Sequence, residues 1–247
     1  MRKSTALFVF EFKLFFRNVI NLIFVLLFPS SMVLLFGSIF GNEPSALFGG
    51  YGTIDVSVPS YICMIVAVTG LMSLPLTLCT YRQNKVLKRL RATTLRPYHI
   101  IGTQFAVNLI MTIIGAVLLI SVASAVYHIQ FIGSAVSMIL LTILVVCCIF
   151  SIGVLIASIF KDAKTATAAA NIVYFPMLFL SGATIPIELM PAAVQKVASF
   201  LPMTHAVNVL KSVWLNKPIG DYYQSLIILI VVFIVCAVLS VVFFKWG

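Results

Sequence analysis

The hydrophobic residues of this chain neither alternate nor keep to one helical stripe. They run almost unbroken for about 20 residues or more, the length a helix needs to cross the hydrocarbon of a bilayer. Such runs occupy residues 20–40, 56–80, 101–127, 131–160, 165–184 and 224–244. The pattern predicts an all-α membrane protein, a single transmembrane domain over 1–247 with six spans and almost no chain left for a soluble domain.

Polar positions divide the rest. The stretch RKSTALFVFEFKLFFRN, residues 2–18, is apolar but punctuated by Glu11, Lys13 and Arg17. It predicts a helix lying in the inner interface, Phe and Leu down and charges up. The first run exceeds a signal-peptide core and no A-x-A-like cleavage site follows, so it is expected to stay as a helix. Pro29, Pro75 and Pro176 fall inside spans and predict kinks, because each frees a backbone carbonyl. The run at 131–160 is longer than needed and should tilt, bend near Gly153, or protrude. AKTATAAAN, residues 163–171, offers small side chains for close helix contact in lipid. In residues 181–214, Pro186, Pro191 and Pro202 leave pieces too short to span. Glu188, Lys196, His205, Asn208 and Lys211 recur there at helix-like intervals. This predicts a re-entrant pair of short amphipathic helices, about 191–200 and 203–214, dipping into the outer interface.

Composition agrees: 62% hydrophobic and 9% charged residues, against about 45–50% and about 25% in soluble domains. The net charge of +10 is unevenly placed. With the N-terminus inside, Arg2, Lys3, Lys13, Arg17, the six basic residues of 82–96, Lys161, Lys164 and Lys245 are cytoplasmic, leaving Lys196, Lys211 and Lys217 outside. That asymmetry predicts a multi-pass protein of the cytoplasmic membrane with both termini inside. It also accounts for the charge through anionic lipid, with no nucleic acid as partner.

Catalytic chemistry is not written in the chain. All six acids lie at span ends or in loops, which weakens an ion-coupled carrier. His99, His128 and His205 fall at different levels and predict no metal site, and the five cysteines fall within apolar runs as free, buried thiols. No Gly-Lys dipeptide, and so no phosphate-binding loop, is present. The expectation is a non-enzyme without a cofactor of its own.

The basic stretch RQNKVLKRLRATTLR, residues 82–96, holds six of the sixteen Lys and Arg and no acid. On a helix from Arg82, Val86, Leu87 and Leu90 share one side and the basic residues most of the rest, up to Arg96-Pro97. Two readings fit: a loop held against lipid, or a docking helix for a cytoplasmic partner.

The segment LKRLRATTLRPYHIIGTQ (87–104) resembles the cytoplasmic loop of ABC-2 type transporter permeases. LSGATIPIELMPAAVQKVASFLPMTHAVNVLKSVW (180–214) is similar to the stretch between spans five and six of that family. The resemblance implies a permease subunit that pairs with a second, alike or different, above separate ATP-binding subunits that hold the ATP and Mg. It implies a coupling role for Lys85, Leu87, Lys88, Leu90 and Arg91, with Lys13 and Arg17 also near the ATPase. Where many members carry an acidic stretch, this chain reads Arg82-Gln83-Asn84-Lys85, which implies an ATPase with an acidic docking surface. The expected function is export of an apolar or amphipathic substrate, such as a drug, a lipid-like antibiotic or a hydrophobic peptide. Asn21, Ser30, Ser31, Ser73, Asn171 and Ser181 are candidates for lining the path. The alternative is a membrane-embedded immunity or scaffold protein that binds a partner without transport.

Overall fold

A computed structural model describes residues 2–45, 50–86, 97–184, 187 and 190–243, and among these it is helical without a strand. The helices are α1 (Arg2–Arg17), α2 (Val19–Phe40), α3 (Thr53–Gln83), α4 (Pro97–Tyr127), α5 (Ala135–Ile159), α6 (Ala163–Leu180), α7 (Ala192–Ala198), α8 (Pro202–Trp214) and α9 (Tyr223–Phe243). Five of them, α2, α3, α4, α5 and α9, are long and apolar enough to cross a membrane. Helix α6 is shorter, and its first half is alanine and threonine with Lys164 and Asn171.

Helix α3 is the axis of the bundle. It packs against α2, α4, α5, α6 and α8, while α9 lies outermost along α5 and α8. The predicted proline effects take a specific form. Proline lacks an N–H and its ring crowds the carbonyl four residues back, and a π turn widens the helix to relieve this. Accordingly α2 passes through a π turn at Ile23–Leu27 just before Pro29, and α3 through one at Val68–Ser73 just before Pro75. The displaced carbonyls meet glycines on neighbouring helices. A Cβ on Gly115 of α4 would lie 3.0 Å from the Val25 oxygen, and one on Gly153 of α5 would clash with the Gly70 oxygen. Gly153 therefore permits close approach, and α5 runs through it without a break.

Helix α5 begins at Ala135, later than the apolar run predicts. Ser134 caps it, and the apolar residues just before are used in packing: Phe131 stacks edge-on against Trp214, 4.9 Å between centroids. At the same end of the bundle Asn42 forms a clasp. Its Oδ1 accepts from the N–H groups of Ile54 (3.0 Å) and Asp55 (3.2 Å), capping α3 in place of Gly52. Its Nδ2 donates to the Tyr127 carbonyl at 3.2 Å, and Asp55 Oδ1 accepts from the Gln130 N–H at 2.8 Å. The ends of α2 and α4 and the start of α3 are thus joined.

Candidate functional site

The helix expected from Arg82 is interrupted at Asn84 and Lys85, and helical backbone returns at Val86. Helix α3 stops at Gln83, and Lys85 turns the chain with a left-handed φ of 56°. Leu87, Lys88, Leu90 and Arg91 lie outside the described residues. The polar residues just before the turn each contact a neighbouring helix. Arg82 is half-buried, and one of its terminal guanidinium nitrogens donates to the carbonyls of Ala157 and Phe160, both at 2.8 Å. These are final carbonyls of α5, which lack partners within their own helix, and a cation there also complements the helix dipole. Gln83 Oε1 accepts from the Ala163 N–H at the start of α6, 3.3 Å away.

At the residue before Arg82, the Tyr81 hydroxyl donates to Glu11 Oε1 (2.7 Å) and Oε2 (2.6 Å), and Gln104 Nε2 donates to Oε2 at 2.6 Å. This corrects the expectation that the charges of α1 point up into water. Glu11 is 4% exposed and buried against α3 and α4, while Lys13 and Arg17 on the same helix are exposed. Burial pushes the Glu11 carboxyl above its ordinary value of 4.5, against the opposing effect of the Tyr81 and Gln104 hydrogen bonds. The triad closes one side of a cavity of about 270 Å³, whose wall also includes Asn18, Asn21, Ser73, Thr77 and Thr80.

The proposed lining residues do not converge. Asn21 and Ser73 meet, Nδ2 donating to Oγ at 3.2 Å, within that cavity. Ser181 lies toward the opposite end, 1% exposed, on a separate cavity of about 360 Å³ bounded by α3, α8, α9 and the turn after α6. Ser30 and Ser31 donate to carbonyls of their own helix, Leu26 (2.9 Å) and Phe28 (2.8 Å). Asn171 is half-buried and lines neither cavity.

In the second cavity His205 is engaged at both nitrogens, with the Ser199 carbonyl at 2.9 Å from Nε2 and Ser225 Oγ at 3.1 Å from Nδ1. A carbonyl only accepts, so Nε2 is the donor in the contact with Ser199. Asn208 Nδ2 donates to the same Ser225 oxygen at 3.0 Å. His205 is a structural residue joining α8 to α9. Among the described residues no three His, Cys, Asp or Glu gather into a metal-sized group.

The end of α3 is thus tied to α1, α5 and α6 just before a basic segment, in a bundle that is all-helical and apolar among the described residues. A sequence model of the ABC-2 type transporter family matches residues 3–215. The chain belongs to this family. Its members are membrane subunits of ABC transporters, and the permease subunit is not itself catalytic. This permease is 32% identical over 71 residues to nodulation protein J of Rhizobium leguminosarum bv. viciae, covering 29% of this chain and 27% of that protein. It is 24% identical over 159 residues to the probable multidrug ABC transporter permease YbhR of Escherichia coli K12, covering 64% and 43%. It is also 24% identical over 188 residues to ABC transporter G family member 20 of Dictyostelium discoideum, covering 76% and 25%. In each case the match spans less than half of the relative.

Proposed function

We propose that this permease is one membrane-spanning subunit of an ATP-driven exporter in the cytoplasmic membrane. Six helices, α2 to α6 and α9, cross the bilayer with both termini inside. Helices α7 and α8 form a re-entrant pair at the outer face, and two subunits pair around a central path. A separate ATP-binding subunit, holding ATP and Mg, docks on residues 85–91, with Lys13 and Arg17 of α1 beside it. The cargo is apolar or amphipathic, in keeping with the multidrug designation of the YbhR relative and the sparse charge along the helices.

The observation that carries this reading is the anchorage of α3 immediately before the basic segment. Arg82 holds the end of α5, Gln83 the start of α6, and Tyr81 holds α1 and α4 through Glu11. A displacement imposed at 85–91 reaches four other helices through direct contacts. The test is co-purification with the ATPase, followed by the double charge reversal Lys88→Glu with Arg91→Glu. Loss of the complex or of cargo-stimulated ATP hydrolysis, with insertion intact, is expected. Unchanged coupling would remove the docking role of this segment.

A further inference from the structure

Glu11 is buried with neutral donors only. Tyr81 shares its single proton between the two carboxylate oxygens and Gln104 donates to Oε2, and both of these side chains are uncharged. A carboxylate offers about four lone-pair sites, which leaves acceptor capacity, chiefly on Oε1. Among the described residues no Lys or Arg pairs with it, and a buried charge without a counterion is costly. The space beside it is not filled by protein. The cavity is about 270 Å³, several times the roughly 30 Å³ share of a water molecule. Its polar wall includes the oxygen-bearing side chains of Asn18, Asn21, Ser73, Thr77 and Thr80, and its apolar wall consists of Leu14, Phe15, Leu76 and Val107. Oxygen acceptors around one carboxylate, with apolar groups alongside, match an alkylammonium group: N–H donors that need acceptors, a positive charge that needs a negative one, and a hydrocarbon tail.

We propose that the Glu11 cavity is a binding site for the ammonium head of a cationic amphiphile. The ammonium pairs with Glu11 and fills the lone-pair sites that Tyr81 and Gln104 leave open, and the alkyl stem lies along Leu14, Leu76 and Val107. This rests on the exporter reading only in making such amphiphiles cargo. The site itself stands on the geometry.

The probes are dodecylamine and its neutral counterpart dodecanol, radiolabelled, with the purified chain in phosphatidylcholine nanodiscs and empty nanodiscs as background. Saturable dodecylamine binding is expected, and Glu11→Gln should weaken it by at least about tenfold, the worth of a hydrogen bond to a charged group, while leaving dodecanol unchanged. The exposed-acid variant Glu43→Gln, with the same change in net charge, should bind like the unaltered chain. Tyr81→Phe keeps the carboxylate and should retain dodecylamine binding within about threefold. Equal loss in Tyr81→Phe and Glu11→Gln, equal loss of both probes, or binding indifferent to Glu11→Gln would each overturn the site. If binding behaves as expected but neither probe stimulates the co-purified ATPase, the exporter reading fails and the site remains.

Discussion

Helices α3 and α9 invert the soluble-protein rule. Helix α9 is the most apolar of the five long helices, yet only 11% of its apolar window is buried; α3 is the least apolar, and 83% of its window is inside. In water the hydrophobic effect would place them the other way. In lipid an apolar side chain gains little by leaving hydrocarbon, and what favours the interior is close backbone approach and polar groups that need partners. Helix α3 supplies both: a π turn whose Gly70 carbonyl meets Gly153, a Thr69–Thr112 hydroxyl pair at 2.9 Å, and the terminal Tyr81 and Arg82 contacts. Helix α9 supplies almost none, its buried polar contacts being Ser225 and Ser240.

The largest effect that would break this contrast is steric. Gly153→Leu places a side chain on the Gly70 carbonyl and should cost about 3 kcal/mol by overpacking, read as a lowered melting temperature or loss of monodisperse protein in detergent. Val238→Leu on the exposed face of α9 should stay within about 0.5 kcal/mol. Equal effects of the two would refute the assignment of inside and outside. Next, Arg82→Ala withdraws a charged donor from the last carbonyls of α5 and should destabilise by about 2 kcal/mol, with amide exchange rising at Ala157 and Phe160. A uniform rise along α5 would instead point to general loosening.

Glu11 sharpens the contrast through pH. Its folded-state pKa is raised by burial, so the folded chain binds that proton more tightly than the unfolded one. The associated stability is complete below the unfolded value and is lost as pH rises through the raised one. Melting temperature recorded across about pH 4 to 8 should therefore show Glu11→Gln gaining on the unaltered chain as pH increases. Parallel profiles would mean that folding does not raise the affinity of the Glu11 carboxyl for its proton. Smaller still, Thr69→Val should cost about 0.6 kcal/mol, the usual worth of an interhelical hydrogen bond in lipid. A cycle with Thr112→Val would isolate the pair, and full additivity would mean no coupling between them.

Helix existence was legible because span length alone carries it. The runs at 20–40, 56–80, 101–127 and 224–244 correspond to α2, α3, α4 and α9 within a few residues. The start of α5 was not, because Phe131 is as apolar as a lipid-facing residue although it packs on Trp214; Ser134 was the available signal. The interior placement of Glu11 was hidden by treating every charge on α1 as solvated. Its spacing of four from Phe15, also buried, marks the shared inward face. The scatter of the lining candidates has a different cause. A serine in a helix satisfies itself on the carbonyl three or four residues back, as Ser30 and Ser31 do, so a hydroxyl in a span is weak testimony for a path.

The Asn42 clasp has a mechanical corollary. It joins α2, α3 and α4 at one end only, while their far ends meet α1 and the segment leading to the basic loop. Thr69–Thr112 and Asn21–Ser73 also bridge them farther along, so the three helices swing as a group with the clasp as fulcrum, and that swing moves the Glu11 cavity most.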